Sequence, residues 1–196
     1  MRQATIQRKT TETEVSATID LDGKGEGRID TSVPFLNHML NLFARHALLD
    51  LIVRSQGDTE IDDHHLVEDV GICLGQAVRK ALGDRKGISR YGEAAVPMDE
   101  SLCSVAMDLS GRPYLIWHAE LGEGRIGEFD PALLQEFFKS FSDHSGITLH
   151  INLIYGTNLH HMAEAIFKAF ARAFRGAIAM DERVEGVLST KGSLEG

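Results

Sequence analysis

The sequence predicts an α+β fold built from two tandem pseudo-symmetric repeats, each of strands plus two helices, with sheets packed against helices. Three observations predict it. Short runs alternate polar and apolar residues, longer runs place apolar residues at helical spacing, and one histidine-rich phrase is written twice. "DDHHLVED" begins at Asp62 and "NLHHMAEA" at Asn158, so His160 follows His64 by 96 positions.

Each repeat opens with strands. Val15, Ala17, Ile19 and Leu21 alternate with polar residues before the turn-like "DGKGEG", and Cys103, Val105, Met107 and Leu109 do the same before "SGRP". A helix follows. "FLNHMLNLFARHALLDL" from Phe35 aligns, at an offset of 98, with "LLQEFFKSFSDHSGITL" from Leu133. Leu36, Met39, Leu40 and Phe43 line one face of the first, and Leu134, Phe137, Phe138 and Phe141 line one face of the second. Asp130-Pro131 is a helix-start signal for the latter. A strand such as "ITLHINLI" comes next, and each repeat ends on a long helix, "HHLVEDVGICLGQAVRKAL" or "HHMAEAIFKAFARAFRGAI". The boundary falls near "GISRYGEAAVP", which divides the chain into 1–90 and 91–196 as two halves of one compact functional unit.

Composition excludes several classes of function. The 196 residues, 43% hydrophobic, can bury a core. With 20 basic against 29 acidic residues the net charge is −9, which argues against a nucleic-acid partner and requires any anionic ligand to sit in a local basic pocket. No apolar run approaches the roughly 20 residues of a membrane span, and "MRQATIQRKTTETEVS" lacks the apolar centre of a secretory signal. The expected location is the cytoplasm, without a membrane partner. Cys73 and Cys103 stand in apolar settings and are expected as buried thiols rather than as a disulfide or a thiolate zinc site.

The doublets carry the chemistry. Adjacent residues on a helix point about 100° apart, so His64 and His65 suit two different ions, while Glu68 is a same-face neighbour of both. His160, His161 and Glu164 repeat the pattern. His38 adds a donor on the other helix of the first repeat, and its counterpart at the offset of 98 is Glu136. Eight candidate ligands result, four for each of two ions. Nitrogen and carboxylate donors without thiolate fit Mn²⁺, Fe²⁺ or Zn²⁺, and a six-coordinate preference puts Mn²⁺ first. The favoured partition sets His38, His65, Glu68 and His160 on one ion and His64, Glu136, His161 and Glu164 on the other. Lys168, four residues after Glu164 and seven after His161, shares their helix face and is the candidate phosphate ligand. Its counterpart at an offset of 96 is Ile72, so the pseudo-symmetry breaks there.

"FLNHML", "DDHHLVEDVGICLGQA", "MDE", "DLSGRPYL", "TLHI", "HHMAEAIFKAFARAFR" and "STKG" resemble, in order and over nearly the whole chain, the imidazoleglycerol-phosphate dehydratases of histidine biosynthesis. The resemblance implies a dehydratase acting on a small phosphorylated imidazole substrate to give imidazole acetol phosphate. It also implies a di-manganese site at subunit contacts, an imidazolate held between the two ions, and a homo-oligomeric shell of 24 subunits. Arg90, Arg112, Ser189 and Lys191 then join Lys168 in the phosphate pocket. Glu12, His46 and Asp99 match family positions beside the substrate diol, with Glu164 as a further candidate for proton transfer. Two departures stand out: the position of Glu136 is commonly a histidine ligand in that family, and Leu42 replaces a residue that is polar in some members. Bland readings compete at several positions. Glu12 lies in the polar run "TTETE", and His46 has a repeat partner in His144, which favours a structural role for both as much as catalysis. His118 and His150 are given no role. A non-catalytic metal-binding assembly would use the doublets but needs no phosphate pocket; a metallohydrolase is the nearer rival, separable by phosphate release.

Overall fold

A computed structural model describes residues 1–194; the last two residues of the second half lie outside it. In the first half, strands β1 (Gln3–Lys9), β2 (Thr13–Asp20) and β3 (Gly27–Asp30) precede helix α1 (Pro34–Ala47), strand β4 (Asp50–Gly57) and helix α2 (His64–Leu82). The second half repeats this as β5 (Tyr91–Met98), β6 (Ser101–Asp108), β7 (Tyr114–His118), α3 (Leu133–Ser145), β8 (Thr148–Tyr155) and α4 (Leu159–Ile178). Both four-stranded sheets have the same order, β1-β2-β4-β3 and β5-β6-β8-β7. Within each, the first three strands are antiparallel, and the edge strand β3 or β7 runs parallel to its neighbour. The two α+β halves are thus copies of one plan.

The alternation read from Val15, Ala17 and Ile19 is the inward face of β2, and all three are buried. β3 was not anticipated. Its four residues carry no alternation, and its place is set by pairing with β4. The first helix is also shorter than the apolar phrase suggested: it stops at Ala47, Leu48 adopts a left-handed conformation (φ 55°) with its N–H bonded to Ala44 O, and β4 begins at Asp50. Gly146, the counterpart of Leu48, ends α3 in the same conformation without a Cβ to accommodate.

The helices cross between the halves. α2 covers β1 and β2 but packs against α3, while α4 covers β5 and β6 and packs against α1. Both pairs run parallel. Gly71 and Gly75 of α2 face the Phe137 and Phe141 carbonyls in turn, and His38 and Phe43 of α1 meet Glu164 and Phe170 of α4. A Cβ at Gly71 would lie 2.8 Å from Phe137 O and one at Gly75 2.7 Å from Phe141 O, so the phrase "GICLG" is what lets α2 and α3 approach. Phe43 from the first half enters an aromatic cluster of the second, with ring centroids 5.1 Å from Phe170 and 5.5 Å from Phe174. Tilted and edge-on pairs of this kind add about 0.5–1.5 kcal/mol each beyond their area. One continuous core results, drawing on both repeats. Cys73 and Cys103 are both free thiols inside it, and burial pushes them up, to about 11 and about 12.

Candidate active site

Because α1 and α4 run parallel, their opening turns meet, and His38, His160 and Glu164 come together there. His38 Nε2 lies 2.7 Å and His160 Nε2 3.1 Å from Glu164 Oε1, and the ligand atoms of the three all lie within 4.8 Å of one another. Asn158 starts α4 by accepting the His160 and His161 backbone N–H groups on its side-chain oxygen, which fixes where both rings emerge. Glu164 is 7% exposed. Burial pushes its carboxyl up, but hydrogen bonds from Lys168, His38 and His160 outweigh that and hold it at about 2. Two imidazoles and one buried, ionised carboxylate, with no sulfur, are a donor set that fits Mn²⁺, Fe²⁺ or Zn²⁺. The favoured partition, which separated Glu164 from His38 and His160, does not match this grouping.

Within each doublet the two rings stand nearly perpendicular. The rings of His160 and His161 are inclined at 84°, and those of His64 and His65 at 88°. His161 gives Nδ1 to Glu100 Oε2 at 2.7 Å, and His65 gives Nδ1 to Asp58 Oδ2 at 3.0 Å. These hydrogen bonds push both imidazoles up. His64, Glu68 and Glu136 are half-buried, and the parallel run of α2 and α3 brings Glu136 level with the first turns of α2. Among the described residues, His64, His65, Glu68, Glu136 and His161 form no second group of three within ligand distance.

The other candidates divide between two places. Arg90, Arg112, Ser189 and Lys191 line one open cleft of about 1000 Å³, together with Arg183. Arg90 is already committed within it: Nε and Nη2 hold Asp108 at 2.7 and 3.0 Å, and Nη1 donates to Leu188 O at 2.6 Å. It braces the cleft, which exposed Lys191 and Arg112 also line, the latter with its guanidinium 3.9 Å from Asp108 Oδ2. Lys168 is not among the lining residues. Its ammonium lies 2.5 Å from Glu164 Oε2 and 3.0 Å from Met98 Sδ, beside the His38 cluster.

Glu12 Oε2 is 3.9 Å from His65 Nδ1, and Asp99 Oδ2 is 3.8 Å from His161 Nε2. Each stands at the second member of a doublet. His46 is on α1 two turns beyond His38; burial, then Lys168 and Arg172, push it down. His144 has its Nδ1 2.8 Å from Ser140 O, four residues back in its own helix, so its observed contact is structural. His118 pairs with Asn152 on the neighbouring strand. Sequence reasoning missed Glu100, Asp58 and Asp108, all carboxylates at turns or strand ends, where a solvated charge is the default expectation.

The geometry can be set beside known proteins. A family model described as imidazoleglycerol-phosphate dehydratase matches residues 31–174. The imidazoleglycerol-phosphate dehydratase of Syntrophus aciditrophicus is 63% identical over 195 residues, covering 99% of each chain. That of Geobacter metallireducens is 58% identical over 193 residues, covering 98% of this chain and 99% of its own. Among solved structures, the Staphylococcus aureus imidazoleglycerol-phosphate dehydratase superposes with a TM-score of 0.83 at 42% identity, covering 91% of this chain and 99% of that one. The Pyrococcus furiosus enzyme also reaches 0.83, at 37% identity, covering 96% of this chain and 99% of that one.

Proposed function

Since the chain belongs to the imidazoleglycerol-phosphate dehydratase family, we propose that it removes water from imidazoleglycerol phosphate in histidine biosynthesis as a metal-dependent lyase, with two Mn²⁺ per active site. The observation that carries the metal reading is the convergence of His38, His160 and Glu164 from two helices of different repeats. The proton to be lost sits on a carbon with no neighbouring carbonyl, so an electron sink is required. Bound ions would supply positive charge against the imidazole ring to accept that electron density. Glu164, between His38 and His160, is the candidate proton acceptor in this chain. Glu12, His46 and Asp99 are assigned to the substrate diol on the family resemblance, and Arg112, Ser189 and Lys191 offer hydroxyl and cationic donors to the phosphate.

Three ligands in one cluster fall short of four. The half-buried His64, His65, Glu68 and Glu136, which form no such group among the described residues, would complete the sites from neighbouring copies, as would a cleft and a Lys168 drawn from different chains. This reading makes the 24-subunit homo-oligomer part of the catalyst, with 1–90 and 91–196 acting as one unit in the cytoplasm. No described helix is long and apolar enough to cross a membrane.

Exhaustive chelation is expected to abolish formation of the enolisable ketone product, and Mn²⁺ to restore it. Full turnover with no metal detectable by elemental analysis overturns the reading, and so does release of inorganic phosphate in place of the ketone. Lys168→Ala is expected to raise KM by about ten- to a hundredfold, the size of one charged hydrogen bond. It should also lower kcat, because it strips the cation from Glu164. An unchanged KM in steady-state kinetics takes Lys168 out of the phosphate grip. Glu136→Ala should lower occupancy of one ion and the rate together, while Glu136→His keeps both, since imidazole also suits Mn²⁺. Two ions per chain and the parental rate for the alanine variant, across a Mn²⁺ titration, show that Glu136 is no ligand.

A further inference from the structure

The second histidine of each doublet rests on a carboxylate, and the two carboxylates are not repeat counterparts. Glu100 sits in the turn between β5 and β6. Its Oε2 meets His161 Nδ1, and its Oε1 accepts the Thr157 and Asn158 backbone N–H groups at 3.2 and 2.8 Å, just ahead of α4. At the corresponding turn of the first half stands Glu12, only at 3.9 Å from His65 Nδ1; the partner in contact is Asp58, which follows β4 and whose counterpart is Gly156. Asp58 Oδ1 is enclosed and has no hydrogen-bond partner, so His65 is the side chain this carboxylate holds.

An ionised carboxylate only accepts, so Nδ1 must carry the hydrogen in both pairs. In a neutral ring the lone pair is then on Nε2. We propose that Glu100 and Asp58 are positioning residues which lock His161 and His65 in the Nδ1–H tautomer and so present Nε2 as the metal-binding atom. The proposal rests on the metal-dependent reading above. It also makes the halves unequal. Glu100 is tied to the backbone at two points and keeps its aim without the ion, whereas the Asp58 carboxylate has, among the described residues, His65 alone.

Solid-state ¹⁵N NMR of histidine-labelled, metal-stripped, sedimented protein reads the tautomers directly, at a pH where the rings are neutral. Difference spectra between parent and variant isolate one ring at a time. Asp58→Ala removes a side chain whose hydrogen bonding is to His65, so it is the cleaner variant; Glu100→Ala also loses the anchor to residues 157 and 158, and Glu100→Gln, which still accepts, is its rescue. In the parent, His65 and His161 should be Nδ1–H. Asp58→Ala should move one ring, and Glu100→Ala another, to the Nε2–H form that free side chains favour, with Mn²⁺ affinity by titration falling about ten- to a hundredfold. Glu100→Gln should keep the tautomer. If Asp58→Ala and Glu100→Ala leave tautomers and Mn²⁺ affinity at parental values, the positioning role is overturned while the metal reading stands. If the parent shows both Nδ1–H rings yet binds no divalent ion, the metal reading itself falls and the proposal with it.

Discussion

Glu164→Gln is expected to cut kcat by about a hundred- to ten-thousandfold, the range spanned by loss of a positioned acid or base. The substitution keeps the shape of the side chain and one acceptor oxygen. It removes the charge that His38 and His160 share on Oε1 and that Lys168 meets on Oε2. An amide places no negative charge opposite the Lys168 ammonium, and its nitrogen, which only donates, offers no lone pair to an ion. Metal content should therefore fall with the rate. Elemental analysis and single-turnover assays on the same preparation check both, and a variant that stays within tenfold of the parent with full metal removes Glu164 from the chemistry. Circular dichroism should be unchanged, because the aromatic core around Phe167 and Phe170 does not depend on the carboxylate.

Gly92→Ala is expected to produce the largest loss of stability of any single methyl addition in the sheet. A Cβ there would stand 1.9 Å from the carbonyl oxygen of Ala173 and 2.8 Å from the Ala177 nitrogen. Both are backbone atoms of α4, so no side chain can swing aside. Relief requires lifting β5 off the helix, which opens contacts lined by Ala173 and Ala177, both fully buried. Overpacking of this kind costs about 3 kcal/mol. Thermal unfolding of the metal-stripped protein reads it, and a midpoint within a degree of the parent contradicts the packing.

How much of this was legible depends on what kind of signal each residue leaves. The doublets showed in the text because a helix converts spacing into direction: His160 meets Glu164 of its own helix, whereas His161 meets Glu100 of a strand turn. His38 was legible through the repeat, since its apolar neighbours Leu36, Met39 and Leu40 aligned with those of α3. The relation of Lys168 to Glu164 was also present as a spacing of four, yet the same spacing serves a phosphate or a carboxylate. Only the third dimension shows which one it meets in this chain. Asp58 and Glu100 left no trace, because a carboxylate in a turn looks the same whether it is solvated or aimed at an imidazole. β3 left none either: a four-residue edge strand is made by its neighbour, not by its own pattern.

The crossing of helices between halves sets a timetable for synthesis. As the chain leaves the ribosome, α1 and α2 emerge with their apolar faces complete, but their partners α4 and α3 have not been made. At about 5–20 residues per second, the stretch from the end of α2 to the end of α4 takes on the order of 5–20 s. Until then Leu36, Met39 and Phe43 lack the α4 face that covers them in the finished fold. The nascent first half therefore exposes for that time an apolar helix face of the kind that invites wrong partners, the second half of a neighbouring chain on the same polysome among them.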